Sequence, residues 1–87
     1  MRLRLTAHAE AMLAERAIKR EWVEAVLAAP DWTEADPRQA GARRAYGRIA
    51  EAAGRVLRVV YIEDGGGRRV LTTYFDRDAR HPQGGAT

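Results

Sequence analysis

A chain of 87 residues, 46% hydrophobic and 31% charged, has the composition of one soluble globular domain with a small core. It has no cysteine, which excludes disulfides and thiolate metal sites. The formal net charge of +3 comes almost entirely from arginine, with Lys19 the only lysine. A GC-rich genome also produces such a bias, so the placement of the arginines says more than their number.

Arg2-Leu3-Arg4-Leu5-Thr6 alternates polar and apolar and predicts a short edge strand. Thr6 is then placed to cap a first helix whose buried stripe is Ala9, Leu13 and Ala17 or Met12. Ile18 ends it. From Arg20 to Ala29, Val23, Val26 and Leu27 recur at helical spacing, with Trp22 on the flank, until Pro30 stops the second helix. The connection is short, so the two form an antiparallel helical hairpin. Asp31 to Gly41, with its acids and proline, reads as a connector pinned to the core by Trp32. Ala42 to Ala50 reads as a strand that bends near Gly47, and Glu51-Ala52-Ala53-Gly54 as the turn that follows.

The plainest stretch is Arg55 to Phe75. Two β-branched and aromatic runs flank Asp64-Gly65-Gly66-Gly67, the signature of a β-hairpin. Its first strand carries Leu57, Val59 and Tyr61 on one face and Val56, Arg58, Val60 and Ile62 on the other, as a central strand would. Arg58 is the odd residue. With Glu63 opposite Arg68 it faces Thr73, and with a loop one residue different it faces Tyr74.

The expected order is therefore β-α-α-β-β-β: an α+β fold with two helices on one face of a mostly antiparallel sheet. The domain is expected to span residues 1–76, with a polar, flexible tail over 77–87. Met1-Arg2-Leu3-Arg4 leads into no apolar signal region, and no run is long enough for a bilayer. The expectation is a cytoplasmic protein without membrane contact. From Gly41 onward Arg43, Arg44, Arg48, Arg55, Arg58, Arg68, Arg69, Arg77 and Arg80 face only Glu51, Glu63, Asp64, Asp76 and Asp78. A basic sheet half beside a nearly balanced helical half suits an anionic or nucleic-acid partner.

Three segments carry a family resemblance. They are Leu5-Thr6-Ala7-His8-Ala9, then Met12 with Glu15-Arg16-Ala17-Ile18, and the strand pair Leu57-Arg58-Val59-Val60-Tyr61 with Val70-Leu71-Thr72-Thr73-Tyr74. Together they resemble the bacterial domain-of-unknown-function family 4258 over Leu3 to Phe75. The pattern departs at Ala17, where glycine is usual, and at Lys19, where serine or threonine would cap the second helix. The family's fold is similar to that of the RelE and BrnT toxins of toxin–antitoxin operons. The resemblance implies a RelE-like sheet carrying basic residues, endoribonuclease activity, RNA as substrate (ribosome-bound mRNA included) and a cognate antitoxin as partner.

The residues offer chemistry of their own. Metal-free RNA cleavage needs a base for the 2′-OH, cationic donors for the phosphorane and an acid for the leaving oxygen. His8, in the first helical turn, would be kept neutral there and can act as base, or it can simply bond to backbone. Arg16 stands about 80° further round the same helix, with a structural and a catalytic role both open to it. Arg58 with Tyr46 and either Thr73 or Tyr74 makes the second cluster: arginine grips phosphate at two points, and tyrosine stacks on a base or donates its hydroxyl. Against that stands a core role for the aromatics. Arg43, Arg44 and Arg48 are the candidate RNA-backbone contacts, or a solvated face. Residues 65–67 form no phosphate loop, since no helix follows them. With two histidines at opposite ends of the chain, no metal and no cofactor is expected. A non-catalytic RNA- or protein-binding module is the alternative function.

Overall fold

The computed structural model describes residues 2–80, so His81 and the greater part of the expected tail lie outside the described residues. Strands Arg2–Leu5 (β1), Trp32–Ala35 (β2), Ala42–Ile49 (β3), Arg55–Asp64 (β4) and Gly67–Phe75 (β5) form one sheet in the order β1-β5-β4-β3-β2. Helices Ala7–Arg16 (α1) and Arg20–Ala28 (α2) fall between β1 and β2. Every pairing is antiparallel except that of β1 with β5. The fold is the expected α+β arrangement, with β1 at an edge and β4 at the centre. No helix among the described residues is long and apolar enough to cross a membrane.

The alternation along β4 sorts the two faces. Leu57, Val59 and Tyr61 join Ala45, Ile49 and Val70 in one core with Ala9, Val23, Val26 and Leu27 from the helices. Residues of the opposite parity, Arg58 among them, point to the face the helices leave open. The hairpin turn is two residues, Gly65 at φ 59° and Gly66 at φ 82°, a left-handed pair that glycine adopts without strain.

The register question has an answer that combines both alternatives. Glu63 lies opposite Arg68, and Arg58 nevertheless lies opposite Tyr74. A register shift between Val60 and Tyr61 makes this possible: Val60 pairs with Thr72, Tyr61 with Val70, and Leu71 is the extra residue of a β-bulge. Thr73 is displaced from Arg58 as a consequence. It faces the helices, fully buried, and its hydroxyl donates to the Arg58 carbonyl at 2.8 Å.

Two expectations need correction. The stretch read as a connector contains β2, which pairs with β3 from Trp32 opposite Tyr46 to Ala35 opposite Arg43. Trp32 is not pinned to the helix-side core; it stacks on Tyr46 at 4.6 Å and 9° on the open face. β3 keeps its register with β4 through Gly47. Glycine serves there for space, because a Cβ would meet Val26 Cγ2 at 3.0 Å.

The helix ends follow local chemistry. Thr6 caps α1, its Oγ1 accepting from the Ala9 amide at 3.1 Å. Lys19 precedes α2 without any side-chain cap. At the other end of α2, which has no basic residue in its last turn, Arg68 reaches from β5 to the Leu27 carbonyl at 2.8 Å. Ala17 lies outside α1 as its C-cap, at φ 55° and ψ 43°. Alanine pays roughly 1–2 kcal/mol for that left-handed conformation. Glycine would relieve it but loosen the unfolded chain by about 0.4–1 kcal/mol. Ala17→Gly should therefore raise stability by about 0.5–1 kcal/mol in urea unfolding; a loss of stability would contradict this account of the turn.

Candidate functional site on the open sheet face

The open face concentrates polar and aromatic groups that alternation alone would scatter over four strands. Trp32 and Glu34 come from β2, Arg44 and Tyr46 from β3, Arg58 from β4 and Tyr74 from β5. Two cavities of about 420 and 320 Å³ flank the centre and share Arg44 and Arg58 as walls. The first extends past Asp36, Thr72 and Tyr74; the second past Trp32, Glu34 and Asp76.

Arg58 is fixed from two sides. Its guanidinium donates to the Tyr74 hydroxyl and is paired with the Asp76 carboxylate just beyond β5. The same group lies 5.5 Å from the Tyr46 ring centre and 5.0 Å from that of Tyr74. Such cation–π contact helps offset its Nε, which is buried without a hydrogen-bond partner among the described residues. Arg44 has an equally unpartnered Nε but two acids at its fork, Glu34 at 3.4 Å and Asp36 at 3.5 Å. Both cations are thus held in place by carboxylates before any ligand arrives.

Glu34 Oε2 also accepts the Tyr46 hydroxyl at 2.9 Å. Burial, then this bond to the carboxylate, pushes the Tyr46 phenol above its ordinary value, against the opposing pull of Arg58. Burial pulls the Arg44 guanidinium down, but Tyr46, the charge of Asp36 and the hydrogen bond to Glu34 more than compensate, so it stays a cation. Tyr46 remains protonated near neutrality and can donate.

The sign of its contribution to stability follows. A phenol raised in the folded state contributes stability that is complete below the ordinary value of about 10 and is lost as pH rises through the folded value. Tyr46→Phe should make alkaline unfolding shallower above about pH 10, as followed by circular dichroism. Superimposable wild-type and variant curves would remove Tyr46 from the titration.

Of the candidate residues, Tyr46, Arg58 and Tyr74 are brought together, with Arg44 beside them. Arg48 also faces this side, exposed, at the end of β3. Arg43 does not: it leaves β3 toward the helix side and donates to Thr33 Oγ1 at 3.0 Å. Thr73 is turned away, as described. His8 is exposed on α1 and lines neither cavity beside Arg58. Arg16, exposed at the end of α1, lines a separate cavity with Arg55, Phe75 and Arg77.

Glu34, Asp36 and Asp76 escaped the sequence reading, though they hold Arg44 and Arg58. A signal existed for two of them. Trp32-Thr33-Glu34-Ala35-Asp36 alternates with period two, and its first residues favour strands. Nothing local marks Asp76, whose partner lies eighteen positions away (|i−j| = 18).

No curated protein and no solved structure matches this chain. Residues 5–75 match a family model, from the strand before Thr6 to the Phe75 that ends β5. They take in both helices, every residue of the open-face cluster but Asp76, and the left-handed turn at Ala17. The chain belongs to the family described as domain of unknown function DUF4258.

Proposed function

We propose that this protein is a metal-independent endoribonuclease of the RelE/BrnT-like toxin kind, acting in the cytoplasm and neutralised by a cognate antitoxin. One observation carries the reading: Arg58 stands between Tyr74 and Asp76, next to the Tyr46–Glu34 pair, on the one sheet face free of helices. The resemblance of the chain to such toxins is consistent with it.

The roles follow from the chemistry of each group. Glu34 takes the proton of the ribose 2′-OH, and that oxygen attacks phosphorus. Arg58, with Arg44 alongside, stabilises the charge that builds on the phosphate oxygens. A protonated tyrosine, Tyr46 or Tyr74, gives its proton to the departing 5′-oxygen. The products are a 2′,3′-cyclic phosphate and a free 5′-hydroxyl. His8 has no part in this scheme, because a carboxylate stands where the base is needed and the histidine does not.

Incubating the protein with RNA in the presence of EDTA tests the reading. Fragments ending in 2′,3′-cyclic phosphate are expected, with growth arrest on expression and rescue by an adjacent antitoxin gene. The second reading, a non-catalytic RNA- or protein-binding module, is favoured by the neutralisation of Arg44 and Arg58 by their own carboxylates. Intact RNA in that assay, with binding retained, would select it.

A further inference from the structure

Away from the open face, Arg16, Arg55 and Arg77 line one cavity of about 170 Å³ together with Phe75. No acid lines it. Arg4, Arg20, Arg44, Arg58, Arg68 and Arg69 each have a carboxylate within 4 Å, whereas Arg2, Arg38, Arg43, Arg48 and Arg80 have none among the described residues. Among the described residues, none of the three in this cavity has one. Of the two acids that flank Arg77 in sequence, Asp76 is committed to Arg58 through Oδ2 and to the Asp78 amide through Oδ1, and Asp78 lines the cavity beside Arg58 instead of this one.

Three cations converging without a counter-charge repel one another, so an anion placed among them is stabilised by all three. The negative end of α1, about half an elementary charge, offsets only a fraction of that. The pocket is also partly set in advance. Arg55 donates from Nε to the Ala52 carbonyl at 3.1 Å, and its guanidinium lies 4.0 Å over the Phe75 ring. Trp22 in turn braces Phe75 edge-on at 6.1 Å. A guanidinium held this way loses little freedom when it binds, and its planar fork suits phosphate oxygens.

The pocket is continuous with the proposed active face. Arg55 and Arg77 also line a neighbouring cavity of about 360 Å³ that runs past Arg48 and Arg80 to Trp32 and Asp76. Those last two residues, with Arg80, line the cavity beside Arg58 as well. An arginine-lined track therefore leads from the site over the end of the sheet to α1.

We infer that Arg16, Arg55 and Arg77 form a phosphate-binding subsite for the RNA strand, outside the reactive centre; its assignment to RNA rests on the ribonuclease reading. The subsite holds one backbone phosphate of a strand long enough to follow the track, and a dinucleotide at Arg58 does not reach it.

Two measurements test this with R16A/R77A, whose side chains are exposed. In fluorescence anisotropy a dodecanucleotide should lose affinity in the variant, and its log–log salt dependence should flatten by about 0.7, the value for one single-strand phosphate. Dinucleotide affinity should stay the same. In ¹⁵N NMR, inorganic phosphate should shift the side-chain Nε–H signals of Arg16, Arg55 and Arg77 in the wild type, and leave Arg55 unmoved in the variant. Phosphate shifts without any RNA binding would support the subsite and overturn the ribonuclease reading. An unchanged salt slope, or no response to phosphate, would overturn the subsite itself. A response to hexaglutamate as large as that to phosphate would also overturn it, in favour of an acidic protein segment.

Discussion

Arg58→Ala should lower RNA cleavage by roughly 10²–10³-fold, the usual loss on removing one well-placed donor to a developing oxyanion. The variant also strands Asp76, whose side chain is only 12% exposed, so melting must be recorded beside activity. Arg58→Lys separates the two effects. It keeps a positive charge against Asp76 but loses the planar fork between that carboxylate and the Tyr74 hydroxyl. A folded lysine variant with a loss of about tenfold, the size of one hydrogen bond's 1.4 kcal/mol, is the expected result. His8→Ala should cleave as the parent does. If His8→Ala were inactive and Arg58→Ala fully active, the chemistry would belong on the helix side and the open face would lose its catalytic role.

Leu57→Ala should cost about 2–5 kcal/mol of stability. Leu57 is fully buried at the start of the central strand, opposite Gly47 and Phe75, in the core shared with both helices. A domain of this size has roughly 4–13 kcal/mol in total, so one substitution removes a large share. Leu3→Ala, half-buried on edge strand β1, should lose distinctly less. The denaturation midpoint in urea measures both. Equal losses would mean that the core is not centred on β4.

Local pattern was enough for several elements. The glycines between two β-branched runs fix a tight reversal, Thr6 before an apolar stripe fixes a helix start, and Pro30 fixes a helix end. Each needs only neighbours a few residues away, and each stands in the structure where the sequence put it. The apolar run of Arg55–Asp64 pointed to a central strand, and β4 stands between β3 and β5, with Leu57, Val59 and Tyr61 buried under the helices and Val56, Arg58 and Ile62 half-buried on the open face.

The site depended on more distant relations. Whether Arg58 meets Thr73 or Tyr74 turns on a single extra residue, Leu71, and strand alternation converts that one-residue shift into a change of face. Trp32–Ala35 became a strand because β3 offered it a free edge, a tertiary event that overrode its acidic, proline-flanked surroundings. Arg43 and Arg44, neighbours in sequence, were separated to opposite faces by the same alternation. The three carboxylates that hold the arginines were hardest to foresee. An ion pair carries no periodicity, so Asp76 acquired its meaning only when β5 folded back along β4 and delivered it to Arg58. Composition and period determined which elements form and which face is apolar. Strand register and chain closure decided which charged groups meet, because their partners are selected by distance in the folded sheet.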